Sequence, residues 1–531
     1  GQAADVFLER NDVALNVKAW ASELKARKVG YDGEEVGLPH PLTWAQVVPG
    51  LPAKGVAASL DATRFATGEV LQALVNPDRL VRRVDCREVE APTTRIWCRT
   101  DQELEGLIDG LLDLGILGEM TEDEAQEIGM RSQFGELVAA GMFGVEKLGE
   151  EPVDCDGEEA CVLRLIFNLV PQNACLNDLD ADILDLPSQG QLGSVGLLDR
   201  EVFLLSSRDR QCFFYIWRLP AAWRKLTLIN RTRWKSGRLM RCYLNVIGMG
   251  SKPAVTITQH LHRNILRLGT QLVPGLPAAK EIRRRKPVPF TSSTDGRAAW
   301  LVYVDDLKVA EVVTIDEAHT LMHFEPDFME TADVLYREAG TPGRASKTET
   351  RRVETKSLGE RIDGVTGRRE MPEGYINDLV SLTFHCLEHC PVKRGWQILV
   401  SRWVRAQGVR KATAATFDEV WKFLQLDGRL DPPTRVVDEL LMACCLGPLY
   451  FASWRLGIDP VVTASDASES GGAVCATLGM SALGSKRRWV ILLGDLLGSS
   501  LKSLEKLRCP WGWAAVANVS TESVRVISRT W

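Results

Sequence analysis

Apolar residues recur at helical spacing from Val13 to Lys25, and more strongly from Gln102 to Leu117, where Gly118 ends the stripe. Residues 1–125 are therefore expected to be mainly helical. Two strand-like apolar runs follow, Glu136 to Lys147 and Cys161 to Val170. Between them Gly149 to Gly157 collects turn formers, which predicts a hairpin with a loose tip. Cys212 to Trp217, with its paired aromatics, reads as helix-like, and Thr256 to Leu268 as a further helix. Ala299 to Val304 is an apolar strand that ends on Asp305-Asp306. The basic stretch 340–370, with its Gly and Thr, predicts a hairpin or loop. Helical spacing returns over 372–457, and from Val461 the pattern is strand-like, then glycine-rich. Strands and helices in this mixture predict an α+β chain.

Composition bounds the function. The chain has 531 residues, 45% hydrophobic and 25% charged, enough for several domains with a real core. Its 13 cysteines are scattered and odd in number, which fits a reducing, intracellular compartment (cytoplasm or nucleus) better than a disulfide framework. The uncharged run Leu440 to Trp454 is too short to span a bilayer, and no signal-peptide pattern opens the chain. Gly1 at the start is consistent with a fragment or a processed piece. The net charge of −6 speaks mildly against nucleic-acid binding, but local fields matter more than the sum. Basic clusters stand at Arg224 to Arg241, Lys280 to Lys286 and Arg344 to Arg369.

The candidate chemistry lies in Tyr303-Val304-Asp305-Asp306. Two adjacent aspartates on a tight strand–turn–strand offer oxygen ligands on one edge, as phosphoryl transfer by a pair of divalent ions requires. Alone, the tetrad reads more readily as a strand ending in a solvated acidic turn. In its setting it does not stand alone. Asp209 precedes the aromatic Phe214 by five residues, in Ser206-Ser-Arg-Asp209-Arg-Gln-Cys-Phe-Phe214. Gly250 precedes Gln259 by nine, leading into the predicted helix. Val162-Leu-Arg164 to Asn173 forms the second arm of the predicted hairpin, with Lys147 on the first. Arg344-Ala-Ser-Lys347 and Leu358-Gly359 to Gly364 follow the tetrad.

In this order, over about residues 130–370, the chain resembles the reverse transcriptases of retroelements. The resemblance implies a polymerase palm and fingers (126–370) with a helical thumb or connection (371–458). It implies metal ligation by Asp209, Asp305 and Asp306 with two Mg2+ ions. Lys147 and Arg164 would hold the incoming deoxynucleoside triphosphate. Phe214 would close on the sugar 2′ position, Gly250, Gln259 and Tyr303 would line the substrate, and Lys347 would protonate the leaving pyrophosphate. The partner would be an RNA or DNA template-primer. Three positions depart from the family pattern: Asn168 stands for its usual Asp, Gly248 for a common Pro, and Ser251 for a frequent aromatic. These motivate a competing expectation, a decayed relic that binds nucleic acid without catalysis.

Downstream, His385-Cys386 and His389-Cys390 recur one helical turn apart. A helix with buried cysteines explains them better than a zinc site, because no second pair with zinc spacing follows. Val462 to Gly472 resembles the first strand pair of an RNase H domain (459–487), with Asp466 matching its first acid. Nothing around Glu505 and Glu522 resembles the remaining acid motifs. Residues 488–531 faintly resemble the opening of a cytosine-C5 DNA methyltransferase with a degraded glycine turn. The catalytic Pro-Cys of that family would lie beyond Trp531.

Overall fold

The computed structural model describes residues 39–456, except 148–149, 156, 285, 287, 290–296, 390–391 and 427–430, and the backbone of strands 462–468, 471–477 and 524–530. The Val13–Lys25 helix expected from the sequence lies outside them. So do Cys390, Glu505 and Glu522.

Helix α1, Asp101–Asp113, begins at a capping box in which Thr100 and Glu103 satisfy each other's end groups. It buries Leu107, Ile108 and Leu111 on one face. The apolar stripe predicted to run on to Leu117 breaks at Gly115 (φ +77°), and the chain leaves as strand β1, Leu117–Thr121. The predicted hairpin forms: β2, Gly141–Glu146, pairs antiparallel with β3, Leu163–Asn168, from Gly141↔Asn168 to Glu146↔Leu163.

The sheet that matters for function is four-stranded. Its members are β4, Glu201–Asp209; β7, Ala298–Tyr303; β8, Asp306–Thr314; and β9, Glu349–Arg352, in the order β7-β8-β4-β9. Strands β5, Leu228–Lys235, and β6, Arg238–Leu244, form a separate sheet with β1. Alternation along β7 and β8 sorts the residues between two faces. Trp300, Val302, Leu307 and Val309 pack against Ile257, Leu261 and Ile265 of α2, Ala254–Leu268, and against Met329 and Leu335 of α3, Asp327–Ala339. The other face buries Phe203, Leu205, Leu301 and Ala310 in a second core. Beyond that core, at the end of the sheet, this face presents Asp209 and Asp306.

One expectation is corrected here. Residues Cys212 to Ile216 form turns rather than a helix. Cys212 adopts φ +52°, and the aromatics serve different cores: Phe213 joins the α2 side and Tyr215 the core beneath β3. Paired aromatics held apart in this way mimic helical spacing. The described part of 1–125 packs into the core of the later chain. Leu60–Asp61 pairs in parallel with Trp217–Arg218, and Leu60, Val70 and Leu74 share the core of Trp217, Ile257 and Trp300.

After β9, strands β10, Glu354–Ser357, and β11, Glu360–Asp363, form the hairpin expected within 340–370. Leu358 (φ +51°) and Gly359 (φ +77°) make its two-residue turn, the type I′ geometry that matches strand twist. Strand β12, Arg368–Glu370, extends this sheet. Helices α4, Tyr375–His389, α5, Lys393–Val409, and α6, Thr434–Cys445, share a core of Leu379, Leu382, Trp396, Leu399, Trp403 and Leu440. The return strand β13, Phe451–Ser453, ties that bundle to β12. His385 and His389 stack at 4.2 Å on α4 while Cys386 is buried, as expected for a plain helix.

The C-terminal strands β14, Val462–Ser468, β15, Gly471–Thr477, and β16, Val524–Thr530, form one antiparallel sheet in that order. Asp466 lies opposite Ala473. The pairing of β16 with β15 joins two segments that the sequence divides at 487/488. Among the described residues no helix is long and apolar enough to cross a membrane.

Candidate active site

Three carboxylates meet at one end of the central sheet. Asp209 is the last residue of β4 and Asp306 the first of β8, and the two are directly opposed in register. Side chains so opposed have Cβ atoms about 4.5–5.5 Å apart and point to the same face. Asp305 sits on the two-residue turn that joins Tyr303 to Asp306. An accidental tetrad would leave Asp209 remote. Burial pushes the Asp305 carboxyl up to about 7, and the charges of Asp306 and Asp209 add to the effect. The Asp306 carboxyl is also raised, first by burial and then by Asp209, with Lys308 and Lys347 opposing.

The turn itself is strained. Val304 adopts φ +57°, a conformation that a β-branched residue rarely takes and that costs on the order of 1–3 kcal/mol. Helix α2 holds it there. The Val304 N–H donates to Gln259 Oε1 at 2.7 Å, and Gln259 Nε2 donates to the Val302 carbonyl at 2.9 Å. Gln259 is 1% exposed, so its side chain serves the turn rather than an open surface. One helical turn on, His262 Nδ1 donates to the Val304 carbonyl at 2.8 Å. Burial holds the His262 imidazole far below its usual range, near 3, so the ring is neutral. The N–H of Arg210 donates to the Asp305 carbonyl at 3.0 Å.

Cationic groups surround the acids. Lys347 Nζ lies 3.2 Å from Asp209 Oδ2. Lys308, on the same face as Asp306, is buried and donates to the Lys356 carbonyl at 3.4 Å. Its ammonium is shifted down by burial, against the pull of Asp306 and Glu349. Arg164 lies on β3 opposite Val145, close enough to feel the Asp305 charge. Lys147 ends the other arm. Its ammonium meets Glu150 at 3.0 Å, and Glu150 also meets Arg344 at 3.0 Å. The β2–β3 hairpin is thereby tied to the segment that carries Lys347.

Phe214 is half-buried beside the buried Phe213. Gly250 adopts φ +94°, open to glycine and strained for any side chain. Its loop is fixed by Asn173, whose Nδ2 donates to the Gly250 carbonyl at 2.8 Å while its Oδ1 accepts from the Lys252 N–H at 2.7 Å. A β-carbon at Gly248 would stand 2.9 Å from Leu244 and 3.0 Å from Leu169, which accounts for glycine there. Sequence reading did not single out Lys308, His262, Tyr336 or Glu150. Each acts through a partner distant in the chain.

The donor set fits a hard divalent ion. All three acids offer oxygen, and a cation would offset both the burial and the repulsion that raise Asp305. Among the described residues no group of three or more His, Cys, Asp or Glu side chains is placed to hold a metal ion as it stands, and Lys347 is the cation that meets Asp209.

No protein-family model matches the chain, and no curated protein does. Among solved structures it is similar to a foamy viral protease-reverse transcriptase in complex with double-stranded DNA, at a TM-score of 0.43 and 15% identity, covering 87% of this chain and 62% of that one. A second foamy viral protease-reverse transcriptase with double-stranded DNA gives 0.43 and 14%, covering 87% of this chain and 74% of that one. A third, with an RNA/DNA hybrid, gives 0.41 and 15%, covering 87% of this chain and 48% of that one. The chain thus spans less than two thirds of the first of these. The likeness is one of mixed α+β fold to reverse-transcriptase chains.

Proposed function

We propose that the chain is an RNA-directed DNA polymerase of retroelement type, extending a primer on an RNA or DNA template with deoxynucleoside triphosphates. The observation that carries this reading is the register that sets Asp209 against Asp306, with Asp305 on the adjoining turn. Asp209, Asp305 and Asp306 would hold two magnesium ions, which when bound activate the primer hydroxyl and stabilise the leaving pyrophosphate. Arg164 and Lys147 receive the triphosphate from the fingers side. Lys347 delivers a proton to the departing pyrophosphate. Gly250 lets the backbone approach the nucleotide closely, and Tyr303 flanks it. Phe214 stands at the sugar and excludes the 2′-hydroxyl, the group that separates RNA from DNA precursors. Asp466, on the first strand of the C-terminal sheet, is the residue to examine for hybrid-strand cleavage.

Primer extension on poly(rA)/oligo(dT) tests the reading. Incorporation of dTMP should require Mg2+ and the template. The competing reading, a relic that binds nucleic acid without catalysis, rests on the altered positions Asn168, Gly248 and Ser251. It wins if wild-type protein binds the duplex but incorporates nothing. A second expected result concerns Phe214→Val. Opening the sugar pocket should lower discrimination against ribonucleotides by roughly 10–100-fold, measured as the ratio of kcat/KM for dTTP and UTP. An unchanged ratio would remove Phe214 from the selecting role.

A further inference from the structure

We infer that His262 and Tyr336 form a neutral clamp that holds the metal-bearing turn in its strained conformation, and that nucleotidyl transfer depends on it. The inference rests on the polymerase reading of the site and deepens it by adding two positioning residues.

The geometry is specific. Gln259 and His262 are three residues apart on α2, on one face of the helix. Between them they engage both polar backbone groups of one residue: Gln259 Oε1 takes the Val304 N–H, and His262 Nδ1 supplies the proton to the Val304 carbonyl. A neutral imidazole carries one N–H, so donation from Nδ1 requires that Nε2 accept. Tyr336 Oη, on α3, lies 2.6 Å from Nε2 and donates to it. The tyrosine thereby fixes the tautomer that the turn needs. Both side chains are inside the protein: His262 is 0% exposed and Tyr336 1%. The Arg210 guanidinium lies 3.9 Å from the centre of the Tyr336 ring, and the Phe213 ring packs 4.9 Å from His262. No water or substrate reaches the imidazole from these sides, which makes it a holding group rather than an acid or base.

Val304 is the residue that needs holding. Its φ of +57° suits glycine at the first position of such a turn, and valine does not keep it unaided. Relaxation of the turn would swing Asp305 and Asp306 away from Asp209. Misplacement by about 1 Å at a reacting centre costs on the order of 100-fold in rate.

The test combines three variants. His262→Leu should lower kcat for dTMP incorporation by on the order of 100-fold, with KM for the template-primer unchanged. Tyr336→Phe, which keeps the ring and the core, should lower kcat by about tenfold, the size of one weakened buried hydrogen bond. Val304→Gly, which takes the turn conformation without strain, should suppress most of the His262→Leu defect. A loss due only to damaged packing would not be suppressed from the turn. Equal defects of His262→Leu with and without Val304→Gly, or full activity of His262→Leu, would overturn the inference. Two activity-free readouts separate it from the polymerase reading: amide exchange at Val304, and the rise in melting temperature on adding Mn2+ alone. If wild type binds Mn2+ but never incorporates, the polymerase reading fails. The clamp then stands or falls on whether His262→Leu speeds Val304 exchange and weakens the Mn2+ effect.

Discussion

In EDTA at pH 8, Asp305→Asn is expected to melt higher than the wild-type protein, and the gain should shrink through the acid range and be largely gone by about pH 4. The Asp305 carboxyl moves from an ordinary 3.8 to about 7 in the folded chain, chiefly through burial and secondarily through Asp306 and Asp209. Unfolded chains release this proton near pH 4; the folded chain keeps it to near pH 7. Across that window the folded state binds more protons, so stability falls as pH rises, and above it the whole penalty is present. A shift of this size corresponds to at most about 4 kcal/mol. Relaxation around the exposed edge of the turn brings the expected gain to about 2 kcal/mol, or roughly 5 °C. Asparagine keeps the shape and removes the charge. The same variant should lose polymerase activity by about 1,000-fold or more, since the carboxylate is a metal ligand in this account. Added Mg2+ should raise the melting temperature of wild type and leave Asp305→Asn unmoved. A variant that melts lower at pH 8, or gains equally at about pH 4, would contradict the assignment of a repelling acid cluster.

Arg263→Met should destabilise the protein by about 3–5 kcal/mol in urea unfolding, because it leaves buried acids without their cation. The Arg263 side chain is 1% exposed and meets Glu281 at 2.6 Å, Asp182 at 2.8 Å and Asp185 at 3.2 Å. The Glu281 side chain is 2% exposed, and its other cations, Arg267 and Arg283, stand off at 3.8 Å. His260 also meets Asp182 at 2.8 Å, from the same helix that carries Gln259 and His262. Losing the guanidinium therefore weakens the anchorage of α2 against the sheet. The paired replacement Arg263→Met with Glu281→Met should recover part of the loss, since removing both partners of a buried pair is far cheaper than removing one. A loss under about 1 kcal/mol would show that these acids find other partners.

Much of the site was readable in the residues themselves. The apolar run before Asp305-Asp306 fixed a strand and a turn. The resemblance in motif order singled out Asp209, which stands opposite Asp306 on the neighbouring strand. The arms around Gly149 to Gly157 paired as their pattern required. What escaped depends on contacts between distant segments. A histidine inside an amphipathic helix looks like any core histidine until the Val304 carbonyl and Tyr336 are brought to it. The resemblance implies a substrate role for Gln259, yet its amide is used by the turn. Lys308 reads as a strand charge, and only the register with β4 puts it behind Asp306. Cys212 to Ile216 has helical-looking aromatics because two cores claim alternate rings. The small apolar residues between Leu60 and Val89 gave no sign that they close the core of a sheet far downstream.

The central claim is that Asp209, distant in sequence, works with Asp305 and Asp306 on one reaction. Its most direct measurement is Mg2+-dependent dTMP incorporation on poly(rA)/oligo(dT) by wild type, Asp209→Asn and Asp316→Asn. Asp316 is an exposed acid bridged to Arg200 at the far end of β8 and serves as the control. The account predicts incorporation by wild type and Asp316→Asn, and a loss of about 1,000-fold or more in Asp209→Asn. Undiminished incorporation by Asp209→Asn would contradict it.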